Sequence, residues 1–483
     1  MRIAFFISTH LAACSLLGGV PGNDAASGTR LQQLWEQDTL TGDWSGVRER
    51  LEQKGVKVTA AYAGEAFGVV RGGFRRGAVY DGLFELGFDA DLEKLADWPG
   101  AKLHGNGFYP HGASGTGKYA RDLGTFSNID FFDSYRLFEA WFEQSFFNDK
   151  LSLRFGQLAM DEEFAAGATD LSPLFINAGF GVATAISGNF PTPIYPIAAL
   201  GVRLRVEPVQ GFFFQAAVYD GNPAPAVLGD ASADAARTSE FNHFGTHAAL
   251  RSDEGALLMG ELGYSFNQPP EDREILPEGE PQLEPNATLG GPPRAGQRRG
   301  LAGSYKAGFG YHTDTFADIA EVTLTELASS RAPAALRDAE GNWAFYLSAD
   351  QEVWREAGSE TDGLGVFARA TFAAPHRNLF SRSIETGAVY RGLWQSSGED
   401  QLGVAFAFFD VSSDVEGAVR DANRADGTCS FKPDYEAVLE VTYRYHIAPW
   451  WHVQPDFQWI IHPGGTREFG NALVIGLRTE VQF

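Results

Sequence analysis

The stretch "NALVIGLRTEVQF", residues 471–483, ends the sequence and has two unlike faces. Successive side chains of an extended strand point to opposite sides. One side therefore carries Leu473, Ile475, Leu477, Thr479, Val481 and Phe483. The other side carries Gly476, Arg478, Glu480 and Gln482. In a soluble sandwich the apolar face would pack on a second sheet, whereas in an outer-membrane barrel it would contact lipid and the charged face would line water.

The composition favours β structure and excludes one class of partner. The chain has 483 residues, enough for one large domain or two to three ordinary ones. Aromatic residues make up 13%, with 38 Phe, and there are 56 Gly, which together favour strands joined by many turns. The net charge of −24 argues against a nucleic-acid partner, because phosphates need Lys and Arg. The acidity suits a surface that faces the periplasm or the outside.

The amino-terminal residues 1–26 are predicted to be a secretory signal peptide. A basic Arg2 is followed by a short apolar run and then by small residues. Leu11–Cys14, "LAAC", offers a lipoprotein cleavage box as an alternative, with Cys14 lipidated. After cleavage the mature chain would keep Cys429 as its only thiol, without an internal disulfide. No other stretch approaches the roughly 20 apolar residues of a spanning helix, so membrane insertion would require a barrel.

Residues 27–55 are predicted to form an amino-terminal periplasmic segment with one short helix. The helix lies in "LTGDWSGVRERLEQKG", Leu40–Gly55, where Asp43 or Ser45 can cap its start and Gly55 can end it. Helical periodicity disappears beyond this point. Residues 56–483 are accordingly predicted to form a closed, all-β antiparallel transmembrane barrel.

Period-two alternation of apolar and polar residues runs through this barrel region. It is clearest in "LSLRFGQ" (151–157), "GVRLRVEP" (201–208), "EAVLEVTYRYHI" (436–447) and "WHVQPDFQWII" (451–461). Alternation over about ten residues matches the strand length of a tilted membrane barrel.

The connections between these strands are predicted to alternate between short and long. The short turns are Phe147–Asp149, Pro208–Gln210, Ser252–Gly255 and Ala448–Trp450. The long stretches are Gly112–Ser134, Ala159–Ala198, Gly221–Phe244, Asn267–Gly300 and Ser412–Asp434. Outer-membrane barrels have short periplasmic turns and long outer loops. With both termini inside, this parity gives eighteen strands if Phe316–Glu326 is one of them, and seventeen without it.

Aromatic residues gather at the last turn, as at a membrane interface. The group consists of Tyr443, Tyr445, Trp450, Trp451 and Trp459. Tyr and Trp collect at bilayer surfaces because their rings are apolar at one end and can hydrogen-bond at the other. The competing interpretation is a soluble β core rich in aromatic residues.

The sequence resembles the OprB family of carbohydrate-selective outer-membrane porins. The resemblance rests on "LTGDWSGVRERLEQKG" (40–55), "RLFEAWFEQSFFNDKLSLRFGQL" (136–158), "YRYHIAPWWHVQPDFQWIIHPGG" (443–465) and the closing strand. It implies a barrel of sixteen strands, preferred here over eighteen, whose outer loops fold inward to a constriction lined by arginines and an acid. It also implies passive diffusion of small sugars across the bacterial outer membrane.

A sugar channel needs planar donors, carboxylate acceptors and an aromatic wall, because a sugar has hydroxyls around its ring and apolar faces above and below it. Arginine supplies five donors in a fixed fork. The candidate constriction residues are Arg136, Glu139, Trp141, Arg154, Arg203 and Arg205. They lie on the strands that flank Ala159–Ala198, the loop expected to fold into the pore. The alternative is that their charges pair across strands and only stabilise the wet wall.

Three other motifs are predicted to have no part in ligand binding or catalysis. Gly68–Gly82 is predicted to be a glycine-rich outer loop, solvated or touching lipopolysaccharide, and no helix follows it to form a phosphate cradle. Asp161–Phe164, "DEEF", could hold calcium but is better interpreted as a solvated turn. His243 and His247 are predicted to be rim histidines. No pattern indicates a catalytic group, a cofactor or a metal site.

The function predicted is therefore passage of small sugars, with monosaccharides preferred, through an outer-membrane porin. The alternatives are a non-selective porin, a plugged barrel that serves as an adhesin, and an outer-membrane enzyme. The expected partners are small sugars, outer-membrane lipid and lipopolysaccharide. The preferred sugar and the choice between monomer and homotrimer stay open.

Overall fold

The structure is a computed structural model. It describes residues 34–165, 171–181, 186–223, 242–246, 255–268, 300–321, 338–359, 361–394, 400–426 and 432–483. Residues 1–26, both cysteines and His247 lie outside these ranges.

Sixteen strands in the described part of the chain close into one antiparallel barrel. They are β1 (Val56–Gly73), β2 (Gly77–Asp91), β3 (Ala101–Gly112), β4 (Arg136–Phe146), β5 (Leu151–Leu158), β6 (Ala199–Val209), β7 (Phe212–Asp220), β8 (Ala256–Phe266), β9 (Gly303–Ala317), β10 (Asp338–Arg355), β11 (Gly363–Ala373), β12 (Phe380–Arg391), β13 (Gln401–Val411), β14 (Tyr435–Ala448), β15 (Trp451–Ile461) and β16 (Gly470–Gln482). Each strand pairs with its sequence neighbours, and β1 pairs with β16 from Ala61↔Gln482 to Gly73↔Gly470. The all-β closed barrel and the count of sixteen are confirmed.

The strand β16 shows how alternation sorts side chains between lipid and lumen. Ile475 and Leu477 point outward and are 49% and 50% exposed. Val474 and Arg478 point inward and are almost completely buried. An apolar side chain exposed on a closed sheet is expected where hydrocarbon replaces water. The apolar face of the last strand thus points outward and its charged face points into the lumen, as the sequence predicts.

Short helices lie outside the strands. They are α1 (Val47–Gln53), α2 (Leu92–Ala96) and α3 (Ser413–Asp426). Gly46 occupies the cap position of α1, where Asp43 or Ser45 was expected, although the Asp43 carboxylate accepts from the Glu49 backbone N–H at 2.8 Å. Within the described ranges, no helix has the length and apolar character needed to cross a membrane.

The segment around α1 ties down the barrel seam. The Leu40 backbone N–H donates to the Gln482 carbonyl at 2.8 Å, and an Arg48 Nη donates to the Phe483 carbonyl at 2.7 Å. Trp35 stacks on Trp450 with ring centroids 5.8 Å apart. Together these contacts hold the amino-terminal segment against the end of the barrel where the chain terminates.

The connections differ in length between the two barrel ends, but not throughout as expected. The tight turns after β4, β6 and β14 are confirmed, and they lie at the end that carries the termini. Asn267–Gly300 joins β8 to β9 at this same end, so its prediction as an outer loop is wrong. Ser252–Gly255 does not join two strands of the described barrel, because β7 pairs directly with β8, which starts just after Gly255. Residues 252–254 lie outside the described ranges.

The alternative of eighteen strands is wrong. Of the described residues in the extra strand predicted at Phe316–Glu326, only Phe316 and Ala317 belong to a strand, the end of β9. The chain then turns helical at residues 319–321, where Ile319 packs on Val411 and Val415. Residues 322–326 are not described. The apolar residues here alternate in a way that suits a short strand or a packed turn equally well.

The prediction of an outer loop at Gly68–Gly82 is also wrong. The strand β1 continues to Gly73, and β2 begins at Gly77, leaving a turn of three residues. Gly72 and Gly73 adopt positive φ angles of 65° and 64°, and a side chain on Gly72 would collide with the backbone of Asn471. The glycines therefore permit close strand pairing and sharp bending.

We predict that Ile475→Arg destabilises the barrel by about 2–4 kcal/mol, because a charge would face hydrocarbon near the middle of β16. The matched control, Val481→Arg, also faces outward but lies near the end of the strand, where the cost is about 0–1 kcal/mol. Guanidinium unfolding from lipid vesicles measures both. Equal costs at the two positions would contradict the assignment of this face to lipid.

Candidate functional site

Two connections fold into the barrel from the end opposite the termini. Segments within residues 113–135 and 159–198 pair through the Asn128 N–H to the Ile176 carbonyl at 2.8 Å and the Ala178 N–H to the Thr125 carbonyl at 2.9 Å. Their buried apolar side chains, including Phe126, pack against inward wall residues such as Val474. The two loops consequently fill part of the lumen and narrow it.

Carboxylates on the barrel wall hold these loops by their backbone. Glu436 accepts from the backbone amides of Leu123 and Gly124 at 2.8–2.9 Å. Glu440 accepts from those of Ile176 at 2.6 Å and Asn177 at 3.0 Å. Single backbone amides are held by Glu385 (Gly181, 2.9 Å), Glu261 (Ala165, 2.7 Å) and Glu139 (Ala159, 2.8 Å). Hydrogen bonds to a charged acceptor are among the stronger ones in proteins. The path of the inward loops is thus determined by the wall.

A ring of four alternating charges lies where the second loop leaves the wall. Arg154 contacts Glu143 at 2.9 Å and Glu163 at 2.5 Å, and Arg203 contacts the same two carboxylates at 2.5 Å and 2.6 Å. Glu143, Arg154 and Arg203 come from the neighbouring strands β4, β5 and β6, while Glu163 comes from the loop. Each guanidinium is therefore shared between wall and loop.

Trp141 and Arg205 extend this charged region in different ways. Trp141 stacks on His104 with centroids 4.9 Å apart, and the Arg154 guanidinium lies 3.7 Å from the indole centroid. Its stacking surface is therefore used within the protein. The Arg205 side chain covers Phe213 at 3.8 Å and lies 3.6 Å from Glu207. One of its Nη groups donates to the Gln215 Oε1 at 3.3 Å, and the side chain is 35% exposed, so part of the guanidinium faces the lumen.

Arg136 and Glu139 are more deeply buried than the other candidate residues. The Arg136 Nε donates to the Pro196 carbonyl at 2.8 Å, and the guanidinium lies 5.2 Å from the Phe131 ring. Glu139 receives the amide of Ala159 at the start of the second loop. These two residues support the inward loops, while Trp141, Arg154, Arg203 and Arg205 form a contiguous group on β4–β6.

Sequence reasoning missed three members of this group. Glu143 and His104 were not chosen, although the hairpin register pairs Glu143 with Arg154. Glu163 was assigned to a solvated turn, which is wrong because its side chain is only 8% exposed and bridges two arginines. Among the described residues no cluster of His, Cys, Asp and Glu could hold a metal ion. His243, one of the expected rim histidines, stacks on Phe132 at 5.6 Å.

Burial changes the ionisation of acids on the first inward loop. Loss of solvent raises the pKa of Asp122 to about 7, and it also raises the pKa of Asp130. A carboxyl whose folded pKa is raised is unfavourable when charged, so its contribution to loop stability improves as the pH falls below about 7. At the outer rim, Asp434 raises the pKa of Arg467.

Comparisons with known proteins agree with this geometry. The sequence profile described as "Carbohydrate-selective porin, OprB family" matches residues 75–483. The chain belongs to the OprB family. It is therefore a carbohydrate-selective porin of the bacterial outer membrane, a channel by family.

Individual relatives of this OprB-family porin match over nearly its whole length. "Porin B" of Pseudomonas aeruginosa PAO1 is 25% identical over 470 residues, covering 92% of this chain and 91% of the relative. "Putative porin QuiX" of Acinetobacter baylyi is 22% identical over 474 residues, which are 94% of this chain and 96% of the relative. The high-pH structure of OprB from Pseudomonas putida superposes with a TM-score of 0.75 at 23% identity, over 93% of this chain and 99% of that one.

We predict energetic coupling between Arg203 and Glu163, since both are shielded from solvent. A double-mutant cycle with Arg203→Gln and Glu163→Gln, followed by unfolding from lipid vesicles, should give a coupling of about 1–3 kcal/mol. The matched control is the pair Arg382 and Asp410 on the outer face, where Arg382 is 63% exposed. Exposed pairs typically couple by about 0.2–1 kcal/mol. A weaker coupling at Arg203 than at Arg382 would contradict the anchoring role.

Proposed function

We propose that the constriction for sugars lies beside the charge ring, between the β4–β7 wall and the inward loops. The observation that supports it is the different availability of the arginines. Arg154 and Arg203 are held by carboxylates, whereas Arg205 presents donors beside the Glu207 carboxylate. A donor and an acceptor side by side can replace the water around the hydroxyls of a passing sugar.

The same arrangement favours release of the sugar. Arginines tied to acids have much of their hydrogen-bonding capacity already used, so a neutral solute gains few strong contacts. Conduction requires sites that are favourable enough to enter and weak enough to leave. The opposite wall adds Arg391 and Arg444, which flank Gln401 in the strand register and face the same lumen. Sugars are thus proposed to diffuse passively along a polar path.

Further features of this function are proposed from the sequence, the family and the inward loops. Monosaccharides would pass faster than disaccharides, because the inward loops narrow the lumen. Residues 1–26 would be removed as a signal peptide, and residues 27–55 would lie in the periplasm. The outward aromatic residues would contact lipid and lipopolysaccharide, in a monomer or a homotrimer.

We predict that Arg205→Ala lowers the preference for glucose over maltose by about 2- to 10-fold, the effect of roughly one hydrogen bond. Arg205 supplies donors that a small sugar can use and bulk that hinders a larger one. The measurement is liposome swelling with each sugar. Arg382→Ala serves as the control because that arginine lies on the outer face.

Planar-bilayer conductance separates the remaining alternatives. An open barrel with equal rates for both sugars would indicate a non-selective porin. A protein that folds but conducts no ions would indicate a plugged barrel. An unchanged preference in Arg205→Ala, with wild-type protein that does prefer glucose, would place the constriction elsewhere.

A further inference from the structure

A separate cavity lies between the two inward loops. Its volume is about 310 Å³, within the range of small-molecule sites. One side is formed by residues 123–131 of the first loop and the other by residues 187–197 of the second, with Phe380 and Phe409 of the wall behind them. These wall residues stand at the ends of β12 and β13 that lie opposite the termini. The exposed Gly188 is part of the lining, so solvent reaches the cavity.

The lining combines apolar side chains with a few polar ones. Phe131, Ile194 and Phe409 provide apolar surface, and the polar side chains are Thr125, Ser127, Asn128, Asp130, Ser187, Thr192 and Tyr195. Most of these polar groups already have partners: an Asp130 oxygen accepts from Ser114 at 2.9 Å, and the Asn128 Oδ1 accepts from Arg478 at 2.6 Å. Such residues shape the site without being free to bind strongly.

Thr192 is different. Its side chain is 8% exposed, and its Oγ1 has no hydrogen-bond partner in the protein. A buried hydroxyl without a partner is unfavourable by about 1–3 kcal/mol, so it is expected to be satisfied by water or a ligand. This hydroxyl belongs to the cavity lining. It is therefore a buried, unpaired hydroxyl in the wall of a mixed apolar and polar pocket.

The charge of the lining restricts the class of ligand. Asp130 is the one ionisable acid among the lining residues, and no Lys or Arg lines the cavity. Arg136 does not line the space; its Nε donates to the Pro196 carbonyl, and its two Nη atoms are buried without a partner. An anionic ligand would meet a carboxylate without a cation, whereas an uncharged polyol would meet hydroxyl, amide and apolar groups. Neutral solutes are favoured.

We propose that this cavity is an outer binding site that holds one neutral monosaccharide in its ring form before it reaches the charge ring. The inference rests on the proposed function. The apolar face of the ring would contact Phe131 and Ile194, and one ring hydroxyl would pair with the Thr192 Oγ1. Because the cavity is formed by the inward loops, a sugar that arrives from the loop side would occupy the cavity before it contacts Arg205.

The test measures glucose-induced fluctuations of the ion current through single barrels in a planar bilayer, with D-glucose added on the loop side. Thr192→Val keeps the shape and removes the hydroxyl, so the dissociation constant should rise about 2- to 10-fold. Thr371→Val is the matched control, because its buried Oγ1 also has no partner but lies outside the cavity. It should leave the constant unchanged.

Thr192→Phe tests the space independently of the hydroxyl. A ring at this position would fill much of the cavity, so glucose binding from the loop side should weaken by more than in Thr192→Val. Wild-type affinity in both Thr192 variants would overturn the outer site. If Arg205→Ala still lowers the preference for glucose over maltose in that case, the constriction at Arg205 stands and only this proposal fails.

Discussion

The structure depends on the pairing of backbone hydrogen-bonding groups where no water is available. A strand in hydrocarbon must satisfy its N–H and C=O groups with another strand, so a sheet can cross the bilayer only if it has no edge. Here the edge disappears where β1 pairs with β16, from Ala61↔Gln482 to Gly73↔Gly470. Antiparallel order then follows, with successive connections at alternating ends and side chains divided between lipid and lumen.

Inside the barrel, two long loops must be held against a wall that also contains charged side chains. The wall carboxylates hold them by accepting backbone amides, as Glu436 and Glu440 do. A buried carboxylate without donors would be strongly unfavourable, and so would buried amides without acceptors. Each group therefore satisfies the other. The ion pairs of Glu163 provide a further attachment by side chain, at the point where the loop begins its crossing.

Much of the barrel could be predicted because its strands repeat a short local pattern. The outward Ile475 and Leu477 and the inward Arg478 follow from period two alone. The register of a hairpin also follows from its turn, so the contact of Glu143 with Arg154 was within reach. By contrast, the barrel end at which a connection lies depends on the number of strands before it. The turn predicted at Ser252–Gly255 implied one strand too many before Asn267–Gly300 and so reversed the placement of that connection.

The loops were less predictable because their partners are distant in sequence. Glu163 meets Arg203 across forty residues, and Ile176 meets Glu440 across 264. No local pattern marks such contacts, and the acids in "DEEF" have the composition of a solvated turn. Trp141 shows the complementary error: its type suggested a sugar platform, yet His104 and Arg154 occupy its surface. The type of a residue indicated which contacts its side chain can make, but not which partner it contacts in the folded protein.

The anchoring of loops by their main chain has an evolutionary consequence. Every residue except proline presents the same N–H group, so exchanging the side chain of Leu123 or Ile176 need not break its bond to the wall. Homologues could diversify the inward surface under selection for new nutrients while inheriting one scaffold. Wall acids that serve several partners, such as Glu436 and Glu261, would then tolerate little change, and mutational drift would concentrate on the segments they hold.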